Sequence, residues 1–415
     1  MTEPASTRDA AVADRSLSFT EFVALLAMLF STIAFSIDAM LPALTVIGEE
    51  LTPEDVNRAQ LIVTIFVLGM GIGTFFTGPL SDAYGRKPVV VAGIAVYIVA
   101  ALVAATAPSL EVLLAARFVQ GLGASAPRVV TLAMVRDLFA GRAMARVMSF
   151  VMMVFILVPA VAPSIGALII DAFSWRAVFL SFVAFGLISG SWLTLRQPET
   201  LPPDRRRALR LPALLSALGE VLGSRVVVTY TAALSLGFGQ MFAFLSSAPQ
   251  IFTEVLDRGE SFPYWFAGVA AFAGTASVVN AKLVMRLGMR KLATAAFMMQ
   301  FAVSGVLATA LSAGALPYDW LFPAFFAYMC VAFFMVGLTF GNLNALALEP
   351  MGHIAGFAAA IVGSVSTILA VAIAIPIGLA YDGTPLPLTV GVTVCSALAL
   401  VLMLTNAKEA EAEPG

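Results

Sequence analysis

The feature that most constrains this chain is a succession of long apolar runs, each bounded by charge, Pro or Gly, from Phe19 to Thr405. A helix needs about 20 apolar residues to cross a bilayer, and an open strand would leave its backbone groups unpaired there. The runs fall near 19–47, 58–80, 88–107, 110–137, 144–170, 175–195, 226–252, 263–287, 291–314, 318–348, 354–381 and 386–405, which reads as twelve helical spans. The expected fold is an all-α membrane protein. Composition agrees, because 60% of the 415 residues are hydrophobic and only 12% are charged, about half the charged share of a soluble domain.

Several classes of function fall away. A net charge of -2 with no basic tail gives nucleic acid nothing to grip. Cys330 and Cys395 both sit inside apolar runs, where a thiol behaves as a small hydrophobe, so neither a disulfide frame nor a thiolate metal site is implied. The single histidine, His353, has no Cys or second His nearby and reads as a solvated loop residue. No nucleophile, base or nucleotide loop is visible, which argues against an enzyme, and no cofactor is expected.

Residues 1–18 mix both signs of charge, and the apolar run after them is too long for a signal-peptide core. We expect a disordered cytoplasmic tail there, then an uncleaved first span. The longest polar interruption, 196–225, falls between spans six and seven. It reads as a cytoplasmic linker joining an N-terminal six-helix half (19–195) to a C-terminal one (226–405), with a short tail at 406–415. Leucines among its basic residues suit a short interfacial amphipathic helix. Lys and Arg concentrate on one side: Arg86, Lys87, Arg136, Arg142, Arg146, Arg205, Arg206, Arg207, Lys282, Arg290 and Lys291 among others, against Arg58, Arg176 and Arg258 opposite. The positive-inside rule then puts both termini in the cytoplasm.

Three motifs stand out. "GPLSDAYGRKP" (78–88) lies between spans two and three, and "AKLVMRLGMRK" (281–291) lies between spans eight and nine. Aligning Gly85 on Gly288 also aligns Leu80 with Leu283 at an offset of about 203 residues, the mark of a duplicated six-helix unit. The first segment resembles motif A of the major facilitator superfamily, through Gly78, Asp82, Gly85, Arg86 and Lys87. "RFVQGLGASAPR" (117–128) is similar to motif B of that superfamily, and "VFILVPAVAPSIGALI" (154–169) to motif C of its drug/proton antiporters, through Pro159, Pro163 and Gly166. With "SIDAMLPAL" in span one, these most resemble the bicyclomycin-resistance (Bcr/CflA) branch of multidrug efflux pumps, well over spans one to six and mainly by hydropathy beyond. The resemblance implies that Asp82 latches an inner gate, with the start of span eleven near Gly352–Gly356 as its partner. The chain departs from the motifs at Ala83, where a basic residue is usual, and at Ala162 and Ala167, where glycines are. Met285 aligns with Asp82, so the halves are not equivalent.

Charges at membrane depth are costly and mark ion or substrate paths. Three are clearly embedded: Asp38, Arg117 and Arg128. From the helical rise, Asp38 lies roughly 13 Å and Arg117 roughly 10 Å inside the outer ends of spans one and four, so they sit at similar depth. Arg117 and Arg128 share a helix face with Gln120, Arg128 about 16 Å deeper. We therefore expect Asp38 to bind the proton and Arg117 to pair with it and couple protonation to cargo. The role of Arg128 stays open between binding an anionic cargo, pairing with a polar group and snorkelling to the interface. Further cavity candidates are Phe35, Met152, Phe155, Gln240, Asn342 and Asn344.

The expected function is proton-coupled antiport that exports drugs or other small amphipathic molecules from a bacterial inner membrane, by a monomer in which two halves rock around a central cavity. Its partners are then the small-molecule substrate, protons and the bilayer, with the proton gradient as energy source. A proton-coupled importer of a small metabolite shares the fold. A non-transporting membrane sensor or partner protein is the remaining alternative, against which the retained central charges argue.

Overall fold

A computed structural model describes residues 17–206, 209 and 211–410, excepting the side chains of 145, 152, 155, 156, 211, 213, 214 and 406–410. The expected tail at 1–18 therefore lies almost wholly outside the described residues, as do residues 411–415. The fold is all-α, with no strand among the described residues. In chain order the helices are α1 (Phe19–Asp38), α2 (Leu44–Leu51), α3 (Leu61–Tyr84), α4 (Arg86–Ala105), α5 (Leu110–Leu138), α6 (Gly141–Ala172) and α7 (Trp175–Arg196). They continue as α8 (Leu211–Gly223), α9 (Arg225–Glu254), α10 (Phe262–Leu287), α11 (Met289–Ser312), α12 (Tyr318–Leu348), α13 (Ala355–Leu379) and α14 (Leu386–Ala410). Among the described residues ten stretches are long and apolar enough to cross a bilayer; one of them, Tyr318–Leu379, holds both α12 and α13, and α6 carries a shorter apolar stretch, Leu157–Ala172.

Local chemistry sets the helix ends. Ser18, Ser109 and Ser224 cap α1, α5 and α9 by accepting backbone N–H bonds from Glu21, Val112 and Val227. Between α3 and α4 stands Gly85 with φ 106°, and between α10 and α11 stands Gly288 with φ 81°, a left-handed backbone that favours glycine. The repeated motif thus produces the same hairpin twice.

Span one departs from the expectation of a single helix over 19–47. α1 stops at Asp38, a turn follows at Ala39 and Met40, and a 3₁₀ turn over Leu41–Ala43 leads into α2. Pro42 is the cause: it has no N–H for the carbonyl of Asp38, four residues earlier, and its ring collides with that carbonyl. The embedded aspartate is therefore at a helix end.

Helices α1 to α7 pack among themselves, α3 and α4 on α5, α1 on α6 and α4 on α7; so do α9 to α14, α9 on α12, α13 and α14, and α11 on α12 and α14. The two groups meet along α3 against α13 and α6 against α10. At the first seam Ser364 donates to the carbonyl of Gly71 at 2.7 Å. The short helix α8, in the segment read as the linker, buries Ala217 and Val221 against the second group while Leu215 and Leu222 stay exposed. His353, expected as a solvated loop residue, is exposed and meets Glu220 of α8 at 2.5 Å.

Candidate functional site

A cavity of about 400 Å³ lies between the two helix groups, walled by α1, α3, α5 and α6 on one side and α9, α10, α12 and α13 on the other. Asp38, Arg128, Met70, Phe238 and Phe340 are among its lining residues. Arg128, Phe238 and Phe340 also line a wider opening of about 860 Å³ at the end of the bundle that carries Asp82, Arg86, Arg136 and Arg205. At this basic end the two groups stand apart.

The far end is closed by neutral hydrogen bonds between the groups. Gln60 donates to Gln250 at 2.9 Å and accepts from Ser247 at 3.0 Å. Asn57 donates to the backbone carbonyl of Tyr381 at 2.8 Å and accepts from Gln250 at 2.9 Å.

Asp38 is 4% exposed, and what exposure it has is to the cavity. No described donor bonds its carboxylate, and no described cation pairs with it. The expected ion pair with Arg117 is absent. Arg117 is fully buried in the first helix group, donating to the Ser36 carbonyl at 3.1 Å, the Ile62 carbonyl at 3.1 Å and Gln120 Oε1 at 2.8 Å. Its guanidinium lies 4.2 Å from the centroid of the Phe66 ring. The physical reason for the correction is the helix break. The last carbonyls of α1 lack helical partners, and a cation there both satisfies one and opposes the helix dipole. Arg117 thus caps α1 two residues before Asp38 instead of neutralising it. Close by, the Ser36 and Tyr97 hydroxyls share a 2.6 Å hydrogen bond, tying α1 to α4.

Motif C braces the same break. A Cβ on Gly166 would stand 2.0 Å from the carbonyl oxygen of Ala39, so α6 touches the turn backbone through a residue without a side chain. Pro159 lines the cavity and Pro163 is buried in the same helix. Motif B does the equivalent for α5: a Cβ on Gly121 would fall 2.0 Å from the carbonyl of Phe66 on α3.

Motif A forms a charged knot at the basic end. Arg86 donates to Asp82 at 2.5 Å, to Ser81 at 2.7 Å and to Asp137 at 2.9 Å. Glu199, just past α7, accepts the backbone N–H groups of Arg86 at 2.9 Å and Lys87 at 3.1 Å, capping α4. Lys87 itself donates to the Thr194 carbonyl at 2.7 Å. Asp82 does not reach its expected partner: it and Gly356 face one another only as walls of the open vestibule, and the N-terminus of α13 has no side-chain cap. A latch between them needs the two groups closed at this end, which they are not. Gly78 lines the same opening with no tight neighbour.

The other candidates divide. Arg128 lines both cavities, its one hydrogen-bond acceptor among the described residues being the Met70 sulfur at 3.5 Å. Asn344 lines the vestibule. Phe35 stacks on Phe185 and meets Phe182 of α7 edge-on, Gln120 serves Arg117, Gln240 accepts from Ser396 at 3.0 Å, and Asn342 ties α12 to Asn280 of α10 at 2.7 Å; none of these four lines the cavity. The side chains of Met152 and Phe155 lie outside the described residues. Sequence reasoning missed Met70, Phe30, Phe238, Phe242, Phe266 and Phe340, which supply much of the wall. An apolar residue on an apolar helix gives no sign of which face looks inward.

A membrane-crossing bundle of two helix groups around one cavity, open at one end and hydrogen-bonded shut at the other, has the build of a transporter. The chain belongs to the Major Facilitator Superfamily, whose family model matches residues 23–375. It is thus a multi-pass membrane transport protein and not an enzyme. Among its relatives, the bicyclomycin resistance protein homolog of Haemophilus influenzae is 32% identical over 353 residues, which is 83% of this chain and 85% of the relative. The multidrug resistance protein MdtL of Salmonella heidelberg is 30% identical over 331 residues, 79% of this chain and 80% of the relative. A crystal structure of a D-xylose–proton symporter superposes with a TM-score of 0.73 at 15% identity, over 93% of this chain and 97% of that one, a likeness of fold alone.

Proposed function

We propose that the protein exports small amphipathic molecules in exchange for protons, with Asp38 as the proton site. The observation that carries this reading is a carboxylate with no donor and no counter-ion among the described residues, placed at a helix break in a largely apolar cavity. Among the described residues no group competes with a proton or a cargo group for its oxygens. Two of its relatives are named for bicyclomycin resistance and multidrug resistance, which supports export over import. The concentration of Lys and Arg supports placing the basic end, and both termini, in the cytoplasm of a bacterial inner membrane.

The cycle follows from the two ends. Cargo enters the 400 Å³ cavity from the open basic end and displaces the proton held by Asp38. The neutral bonds of Gln60 and Gln250 then part, while Asp82 closes on the uncapped start of α13. Cargo leaves at the far end, a proton returns to Asp38, and the halves rock back. Arg117 acts by holding the end of α1 on which Asp38 sits. One subunit suffices for each step.

The test is expression in a host stripped of its own pumps, with resistance read across cationic, neutral and zwitterionic antibiotics. Purified wild type should release protons when cargo is added, and Asp38→Asn should not while expressing equally. Proton release unchanged in Asp38→Asn would remove Asp38 from the mechanism, and proton movement in the same direction as cargo would make the protein an importer.

A further inference from the structure

Arg128 is the one cation among the described residues lining the central cavity, and Asp38 is the one anion. They do not form an ion pair, and among the described residues Arg128 has only the Met70 thioether as an acceptor, a weak one. A guanidinium at membrane depth with five N–H donors and no carboxylate is costly to keep, and side chains of this kind mark a path or a ligand. Arg128 also has no structural task like that of Arg117, which is consumed by two backbone carbonyls and Gln120.

The approach to the cavity points the same way. Four arginines, Arg86, Arg128, Arg136 and Arg205, line the opening at the basic end against two acids, Asp82 and Asp137. Both acids are engaged by Arg86. Arg136 and Arg205 have no carboxylate partner among the described residues, so the entrance presents unpaired positive charge leading to Arg128. Such a lining concentrates anions and repels cations. Beyond Arg128 the wall turns aromatic, with Phe238, Phe242, Phe266 and Phe340 from the second helix group.

We propose that the cargo is a small aromatic carboxylate, its carboxylate held by Arg128 and its ring by the phenylalanine wall. Arg128 presents a planar fork of donors that fits a carboxylate in a bidentate way. With Asp38 protonated the cavity carries one net positive charge, which suits a plain carboxylate but leaves the Asp38 proton in place, so displacing that proton falls to a cargo that also bears a cation. With Asp38 ionised it carries a separated pair of opposite charges, which suits an aromatic amino acid whose ammonium faces Asp38. In both states a simple organic cation meets Arg128 unfavourably.

This inference rests on the reading of the cavity as the cargo site, but its test needs no gradient. Binding to purified full-length protein in detergent micelles at pH 7 would be measured for three probes that share one ring: 2-naphthylacetate, naphthylalanine and 2-naphthylmethylammonium. Wild type should bind both carboxylates at least about tenfold more tightly than the amine, the scale of one hydrogen-bonded charge. Arg128→Gln should abolish that preference, and Arg128→Lys should retain part of it, which separates lost charge from lost folding. Tighter binding of the amine, no binding of either carboxylate by wild type, or an unchanged order in Arg128→Gln overturns the proposal. Proton release on cargo addition is a separate readout. Carboxylate preference without it defeats antiport alone, and release without the preference defeats this inference alone.

Discussion

The two helix groups differ in the charge of their buried polar atoms more than in how many are idle. In the first, the buried charges outside the cavity are engaged, Arg117 bonding three acceptors across α1, α3 and α5 and Arg86 joining Asp82 to Asp137, while among the described residues Ser31, Thr131 and the amide nitrogen of Gln120 have no partner. In the second, the most deeply buried polar groups are neutral and partly idle. Among the described residues, Gln240 leaves its amide nitrogen without a partner, Gln300 leaves both amide atoms so, and the Tyr328 hydroxyl has none. Both charges in the cavity wall come from α1 and α5 of the first group. The first group therefore holds the electrostatic machinery, and the second contributes shape and aromatic surface.

The largest expected break of this comparison comes from Arg117→Ala set beside Gln300→Leu. The first leaves the Ser36 and Ile62 carbonyls and Gln120 Oε1 without their donor inside a packed core, at a cost of about 3–5 kcal/mol. The second removes two buried amide atoms that have no partner and should be neutral or stabilising by about 1 kcal/mol. Thermal unfolding in one detergent reads both. Equal losses would mean that the second half is engaged in some way its hydrogen bonds do not show.

Next in size is the backbone contact at Gly166. A methyl there must push the Ala39 carbonyl from 2.0 Å, which displaces the turn that follows Asp38. Gly166→Ala should cost about 2 kcal/mol and most of the transport rate, the effect being one of overpacking. On α12 a Cβ at Gly341 meets nothing within 4 Å. Gly341→Ala should therefore leave transport intact and stabilise its helix by up to about 1 kcal/mol. Transport assays of both variants beside their thermal midpoints decide the point.

How much of this was legible in the sequence varies by scale. Hydropathy gives the helices to within a few residues, because the bilayer imposes length and polarity on each span. It reads straight across Pro42, since a proline inside an apolar run changes the mean little while ending the helix at Asp38. Depth brings Arg117 to the right level of α1, yet rise per residue carries no information on which way a side chain points. Its target proved to be the backbone of Ser36. The partner of Asp82 is hidden for another reason: it depends on which end of the bundle is open. Phe238 and Phe340 were silent because nothing distinguishes an inward phenylalanine from a lipid-facing one.

The smallest expected effect concerns the two ends. At the far end the groups are held by amide and hydroxyl bonds centred on Gln60 and Gln250, whereas the basic end is built from charges. Neutral bonds of this kind are worth about 1 kcal/mol each, so the closure can open at little cost during a cycle. Gln60→Leu removes the bonds to Gln250 and Ser247 and should shift the balance toward a far-end-open form by about 1–2 kcal/mol, roughly five- to thirtyfold in population. The carboxylates at the basic end should hold against such a change, since Arg86 keeps both Asp82 and Asp137. Hydrogen–deuterium exchange tests the asymmetry directly. In Gln60→Leu, exchange should quicken at 247–254 and 378–381 and slow at 355–358, where Asp82 closes on the start of α13. Unaltered protection at 247–254 would mean that apolar packing, and not this amide cluster, keeps the far end shut.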